Sequence, residues 1–332
     1  MNVNYLYSLL AVIVLGLIAY VGAGVAGFQG LFGIFIPYLA VVIFIAGFIN
    51  RIMDWAKSPV PFRIPSTCGQ QKSLDWIKQN KIDNPSSTFG VIVRMVFEIV
   101  LFRSLFRNSR AEIVGERIAY KWVVWLWLFA ILFHYSFFAV VIRHLRLFLE
   151  PVPVFIKIFE QADGILQVGL PGLFLSGVTL LAAAFFLLLR RILIPKINYI
   201  SLAADYFPLL LIIGIALTGI MMRYFTKVDV VKIKELTMGL ATFHAGIPEG
   251  GISGLFYVHL FFVSILVIYI PFSKLMHMGG VFLSPTRNLA NNNRMKRHIN
   301  PWNPDVKFHT YEEYEDDFRE KMIEAGLPVE KE

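Results

Sequence analysis

Charge is scarce in this 332-residue chain. Asp, Glu, Lys and Arg together make up 16% of it, against about 25% in an ordinary soluble domain. With hydrophobic residues at 57% and a mean hydropathy of +0.63, the deficit excludes a soluble globule and points to a polytopic membrane protein. Cysteine is almost missing too. The one residue, Cys68, excludes an intrachain disulfide, and it excludes an iron–sulfur cluster held by this chain alone, which takes about four thiolates. Positive charge is absent from Met1 to Asn4, so the first apolar run is expected to be a retained span and not a cleaved signal. The net charge of +8 does not imply nucleic acid, because the basic residues cluster beside apolar runs, as positive-inside loops do.

What is there is a set of long apolar runs. A helix needs about 20 such residues to cross the hydrocarbon core, and six stretches qualify: Leu6 to Ala23, Leu31 to Ile49, Trp122 to Ile142, Val168 to Leu189, Leu202 to Met222 and Ile252 to Phe272. The expected fold class is therefore an all-α polytopic membrane protein with about six transmembrane helices. Residues 51–121 carry twelve Lys/Arg against six Asp/Glu. Arg190, Arg191 and Lys196 mark another basic turn, and Arg287, Arg294, Lys296 and Arg297 open the tail. The positive-inside rule puts these three regions, and with an even number of spans both termini, in the cytoplasm. Segments 150–167 and 223–251 then face outward, with Lys232 and Lys234 running against the rule. Four parts are expected: two N-terminal spans (1–50), a basic cytoplasmic segment (51–121), a four-helix core (122–280) and a charged cytoplasmic tail (281–332). Within the second part, residues 91–107 mix apolar residues with Arg94, Arg103 and Arg107, as an interfacial or partner-packed amphipathic helix would. The acidic end of the tail suits either a docking helix or a solvated extension.

Four of the seven histidines lie in or beside just two spans. His134 and His144 are ten residues apart in the third, and His259 and His277 eighteen apart in the sixth. At about 1.5 Å rise per residue these intervals cover about 15 Å and 27 Å. Eighteen residues are also five turns of 3.6, so His259 and His277 are expected to share a face. Antiparallel third and sixth spans would set His134 beside His277 on the cytoplasmic side and His144 beside His259 on the outer side. Two stacked b haems need such opposed pairs, each iron taking an imidazole from either face. Histidines that hydrogen-bond a neighbouring helix or form a proton relay are the competing readings.

The segments FIPYLAVVIFIAGFINR (35–51), LLRRILIP (188–195), AADYFPLLLII (203–213), ATFHAG (241–246) and HLFFVSILVIYIPFSKLMH (259–277) together resemble the gamma subunit of respiratory nitrate reductase, a di-haem cytochrome b family with histidines ten and eighteen residues apart on two helices. The extra N-terminal span, the long 51–121 segment and the charged tail are more similar to the cytochrome b subunits of heterodisulfide-reductase-like menaquinol oxidoreductases. The resemblance implies two b-type haems, the inner iron on His134 and His277 and the outer on His144 and His259. It implies propionate partners among Arg143, Arg146 and Lys274, although cations snorkelling to the interface explain these equally well. It further implies quinol oxidation near the outer haem, for which Lys157, Glu160, Asp163 and His244 are the candidates. Asp205 gets no role, and His298 and His309 are expected to be solvated.

The expected function is a transmembrane electron wire. Menaquinol would be oxidised outside and its electrons passed to a cytoplasmic iron–sulfur subunit that this chain lacks the cysteines to be. Further membrane subunits and a periplasmic cytochrome subunit are compatible with the resemblance. Three other readings stay open: the same wire run in reverse as a menaquinone reductase, a haem-free histidine-relay transporter, and a membrane anchor that only docks soluble subunits.

Overall fold

A computed structural model of the chain describes residues 3–58, 69–164, 172–295 and 308–330. Cys68, His298 and the expected start of the fourth span at Val168 lie outside the described residues. Six helices are long and apolar enough to cross a membrane: Asn4–Val25, Leu31–Lys57, Val124–Leu147, Leu175–Leu193, Ala203–Thr226 and Gly254–Phe272. Helices are what lipid demands, since a spanning backbone must satisfy its own hydrogen bonds. The protein is a multi-pass, all-α membrane protein.

In chain order the helices are α1 (Asn4–Ala19), α2 (Ile36–Lys57), α3 (Thr88–Leu101), α4 (Arg103–Phe106), α5 (Val124–His144), α6 (Val154–Asp163), α7 (Leu175–Leu193), α8 (Pro195–Ile200), α9 (Ala203–Ile220), α10 (Val230–Thr242), α11 (Gly254–Tyr269), α12 (His277–Leu283), α13 (Pro285–Asn288) and α14 (Tyr311–Glu324). One antiparallel hairpin, β1 (Ser109–Val114) and β2 (Arg117–Trp122), is closed by the Gly115-Glu116 loop. Gly115 has φ +63° there, a conformation in which a side chain would be strained. The expected amphipathic helix at 91–107 is two pieces, α3 and α4, divided at Phe102, which has φ +49°.

The chain forms two compact units, Met1–Lys57 with Ile92–Ser284, and Ser58–Val91 with Pro285–Glu332. In the first, α5 packs on α7, α7 on α9, and α11 on both α9 and α2, while α1 lies against α9 and α11. Val12, Ala19, Ala23 and Phe32 of the first two spans share one buried cluster with Leu180, Leu211, Tyr257, Phe261 and Phe262. The N-terminal helices are thus part of the same body as the later four. Small residues allow the close approach. A Cβ added at Gly16 or Gly214 would lie 3.1 or 3.0 Å from the Phe262 ring, so that ring is seated against two glycine-bearing helices.

Two prolines shape the spans. Pro208 inside α9 cannot donate to the Ala204 carbonyl four residues back, and the Tyr269 hydroxyl donates to that carbonyl instead, at 3.2 Å. Pro271 ends the sixth span. Residues Ile270–Phe272 tighten to a 3₁₀ turn, Ser273 is extended, Lys274–Met276 form a second 3₁₀ turn, and α12 begins at His277. His259 and His277 therefore do not share one continuous helix, and the five-turn argument for a common face does not apply.

In the second unit, the Asn291 side chain donates to the side-chain Oδ1 of Asn84 at 2.8 Å and its backbone N–H to Pro85 O at 2.7 Å. These bonds tie 69–91 to 285–295. The tail does form a helix, α14, opened by a capping box of Thr310 and Glu313. The buried Glu315 carboxylate accepts from the Glu330 N–H at 2.8 Å and folds the end of the chain back.

A candidate two-pair histidine site

His134 lies midway along α5 and His144 ends it, while His259 sits near the start of α11 and His277 opens α12. The structure brings them together as two pairs. The His134 and His277 rings are 6.0 Å apart, centre to centre, with planes at 83°. The His144 and His259 rings are 6.4 Å apart and nearly parallel, at 16°. An imidazole nitrogen lies about 2.0–2.1 Å from a bound metal and about 1.2 Å from its own ring centre, so two imidazoles on opposite sides of one ion stand about 6.4 Å apart. Both pairs have that spacing.

The tautomers agree with ligation. Nδ1 of His134 bonds Ala130 O at 2.7 Å, Nδ1 of His144 bonds Val140 O at 2.7 Å, and Nδ1 of His277 bonds Lys274 O at 3.0 Å. A carbonyl only accepts, so in these three rings Nδ1 carries the proton and Nε2 is left with its lone pair. His259 has the same arrangement by another route. Its Nδ1 lies 2.9 Å from Thr218 Oγ1, whose own proton points back to Gly214 O at 2.8 Å or Ile215 O at 3.0 Å. The threonine oxygen accepts from Nδ1–H. Gly219, beside it, leaves room for the ring: a Cβ there would be 3.3 Å from Cε1 of His259. Among the described residues no group of three or more His, Cys, Asp or Glu could hold a metal ion. Each pair would offer two imidazole nitrogens, a donor set that fits a b-type haem.

Around His144 and His259 lies a charged cluster. Arg143 is buried and its Nε is 2.9 Å from Asp163 Oδ2. Asp163 also accepts from the Ser176 N–H at 2.7 Å and hydroxyl at 2.6 Å, which pins the end of α6 to the start of α7. Arg146 donates to both oxygens of Glu160, at 2.9 and 3.0 Å. Arg146, Lys157, Glu160, Gln161, Phe174 and Arg223 line a cavity of about 430 Å³. Lys157 and Glu160 thus meet in one cavity. Asp163 is engaged with Arg143 and Ser176. His244 is on an exposed loop, its Nδ1 on Thr242 O at 2.7 Å, and does not line the cavity. Lys274 pairs with Asp205 at 2.6 Å, well exposed to solvent.

Sequence reading did not single out Thr218, Phe174 or Arg223. Arg223 sits in a π-helical end of the fifth span, Met221–Thr226, a local widening that often marks functional sites. Its guanidinium lies 4.0 Å from the Phe174 ring centre, and that of Arg143 lies 3.8 Å from the same ring. Next to it the Tyr224 hydroxyl accepts from the Phe174 N–H at 2.8 Å. Lys234, which runs against the positive-inside pattern, is in an ion pair with Glu150. The hydrogen bond from Lys234 holds the Glu150 carboxyl below its usual range. Segments 150–167 and 223–251 are thus bonded to each other, and Lys234 brings no uncompensated charge.

The family model for the nitrate reductase gamma subunit matches residues 123–297. The chain is 47% identical over 280 residues to the "Hdr-like menaquinol oxidoreductase cytochrome b-like subunit" of Archaeoglobus fulgidus, covering 82% of this chain and 84% of that one. It is 46% identical over 277 residues to the protein of the same name from Archaeoglobus profundus, covering 81% and 82%. The chain belongs to the nitrate reductase gamma-subunit family, among its Hdr-like menaquinol oxidoreductase cytochrome b-like subunits.

Proposed function

We propose that the protein is a di-haem cytochrome b subunit that oxidises menaquinol at one membrane face and delivers electrons to a soluble partner at the other. The observation that carries this reading is the pairing of four histidines into two sites with the spacing of trans-ligating imidazoles and Nε2 free in each. His134 and His277 would hold one haem, His144 and His259 the other. Bound there, haem iron supplies one-electron transfer at a potential set by its ligands and their hydrogen bonds.

The chain's own residues do the rest. The cavity beside His144 is the proposed quinol site. Lys157 donates to a quinol oxygen, and Glu160, oriented by its two bonds from Arg146, accepts a hydroxyl proton and passes it to the adjacent aqueous face. Asp163 holds Arg143 and Ser176 and is a positioning residue. His244, outside the cavity, is left out of the proton path. With the basic segments and both termini in the cytoplasm, this cavity lies on the outer side. The four histidines would hold two haems that supply an electron path from this face to the His134–His277 side, where a cytoplasmic iron–sulfur, heterodisulfide-reductase-like subunit would accept the electrons. Each full crossing against 100 mV costs about 2.3 kcal/mol per electron, which the redox span must supply. The same arrangement run backward would reduce menaquinone.

The test is a reduced-minus-oxidised spectrum of the purified chain, with haem counted per polypeptide, followed by reduction with a menaquinol analogue. Two b haems per chain and reduction by menaquinol are expected. Folded protein without haem would overturn the reading.

A further inference from the structure

The cluster beside the His144–His259 pair holds more positive charge than it neutralises. Arg143 is matched by Asp163 and Arg146 by Glu160. Arg223 has no carboxylate within 4.0 Å among the described residues, and its Nε is buried without a hydrogen-bond partner. An arginine near the end of a membrane span would ordinarily snorkel to water. Instead this one lies over Phe174, whose backbone is held by Tyr224. A guanidinium kept in that place is set to receive an anion.

Its position on α9 and the π turn says which one. Thr218 bonds His259 and Gly219 lies against the same ring. Arg223 is four residues beyond Gly219, on the same helix face and about 6 Å further along the axis. It therefore lies on the face of the span that carries the two contacts to His259, about one turn further toward the end that lines the cavity. We propose that Arg223 pairs with a carboxylate of the haem held by His144 and His259, in the role the sequence offered to Arg143, Arg146 and Lys274. Those three have protein carboxylates as partners. A planar, always charged guanidinium matches a carboxylate by two parallel bonds. This inference rests on the two-haem reading above.

The pairing has an electrostatic consequence that separates it from a merely structural role. A carboxylate left unpaired near the iron favours the oxidised, more positive state, so removing Arg223 lowers the potential of that haem alone. The experiment is a redox titration of the intact protein carrying Arg223→Gln, with the haem at His144–His259 identified as the one lost in His259→Ala. Expected is a downward shift in that haem's midpoint potential, with both haems retained and the other potential unmoved. Unchanged potentials would overturn the pairing, and if the KM for menaquinol rose at the same time Arg223 would belong to the quinol instead. Should R223Q not assemble, Arg223→Lys carries the test. It keeps the charge but not the fork, so a smaller downward shift supports the pairing and none overturns it. Wild-type protein lacking haem altogether would fail the two-haem reading before Arg223 is touched.

Discussion

The two histidine pairs have nearly the same ring separation but little else in common. The His144–His259 pair is nearly parallel and is fixed from three helices: α5 and α11 supply the rings, and α9 supplies the Thr218 hydroxyl. Beside it lie a buried Arg143–Asp163 ion pair and a polar cavity. The His134–His277 pair is nearly perpendicular, and edge contacts from Phe102 and Phe133 surround His134 at 5.0 and 5.2 Å. His277 opens α12 beyond the break in the sixth span, and its Nδ1 bonds the Lys274 carbonyl three residues back. The difference teaches that the same spacing can stand in two unlike surroundings, and the surroundings set the chemistry available beside each pair. Polar groups that can handle protons surround one pair. Apolar rings pack on His134 in the other, while His277 is exposed beside the Lys274–Asp205 ion pair.

The largest expected effect tests the pairs separately. His259→Ala and His277→Ala should each leave one haem of two, counted per polypeptide. Ligand-plane angle controls the anisotropy of a low-spin ferric haem. The more anisotropic electron paramagnetic resonance signal should therefore be the one lost in His277→Ala, and loss of that same signal in His259→Ala would reverse the assignment. Next in size is Asp163→Asn, which leaves Arg143 buried without its counter-charge. Breaking one side of such a pair costs about 3–5 kcal/mol, and a lowered unfolding midpoint in detergent measures it. Glu160→Gln should lower menaquinol oxidation about 100-fold, within the range for a lost general base, while both haems remain in the spectrum. Full activity in that variant would move the proton path elsewhere. The smallest effect expected is from Thr218→Val, which removes the acceptor that fixes the His259 tautomer. A lost second-shell bond of this kind weakens binding about tenfold, measurable as haem lost to apomyoglobin, with the His134–His277 haem as internal control.

Much of this was legible in the sequence for simple reasons. Spans announce themselves because lipid tolerates few charges, and the four histidines stand out because little else in their helices is polar. Membership in the nitrate reductase gamma-subunit family was legible from segments such as IPFSKLMH, and the likeness to the Hdr-like subunits from the extra N-terminal span, the 51–121 segment and the charged tail. What was not legible depended on groups distant in sequence. Phe174 gathers Arg143 and Arg223 from two other helices, and nothing local marks Phe174 or Arg223. Two features were readable and passed over. Pro271 announces the break in the sixth span, which a count of five helical turns overlooks. The alternation in RAEIVGERIAYK, with glycine at its centre, is a hairpin signal inside what composition presents only as a basic segment.

The break at Ile270–Ser273 also bears on how freely such a chain can change. Along an unbroken helix, one residue gained or lost between two ligands swings the second by about 100° and destroys the site. Here the extended Ser273 and the short turns around it stand between His259 and His277, and a joint of that kind absorbs a residue by adjusting its dihedrals. The eighteen-residue interval is therefore not enforced by helical phase. Natural variants with a length change confined to this joint should retain both ligand pairs, whereas the same change between His134 and His144 on the continuous α5 should not survive.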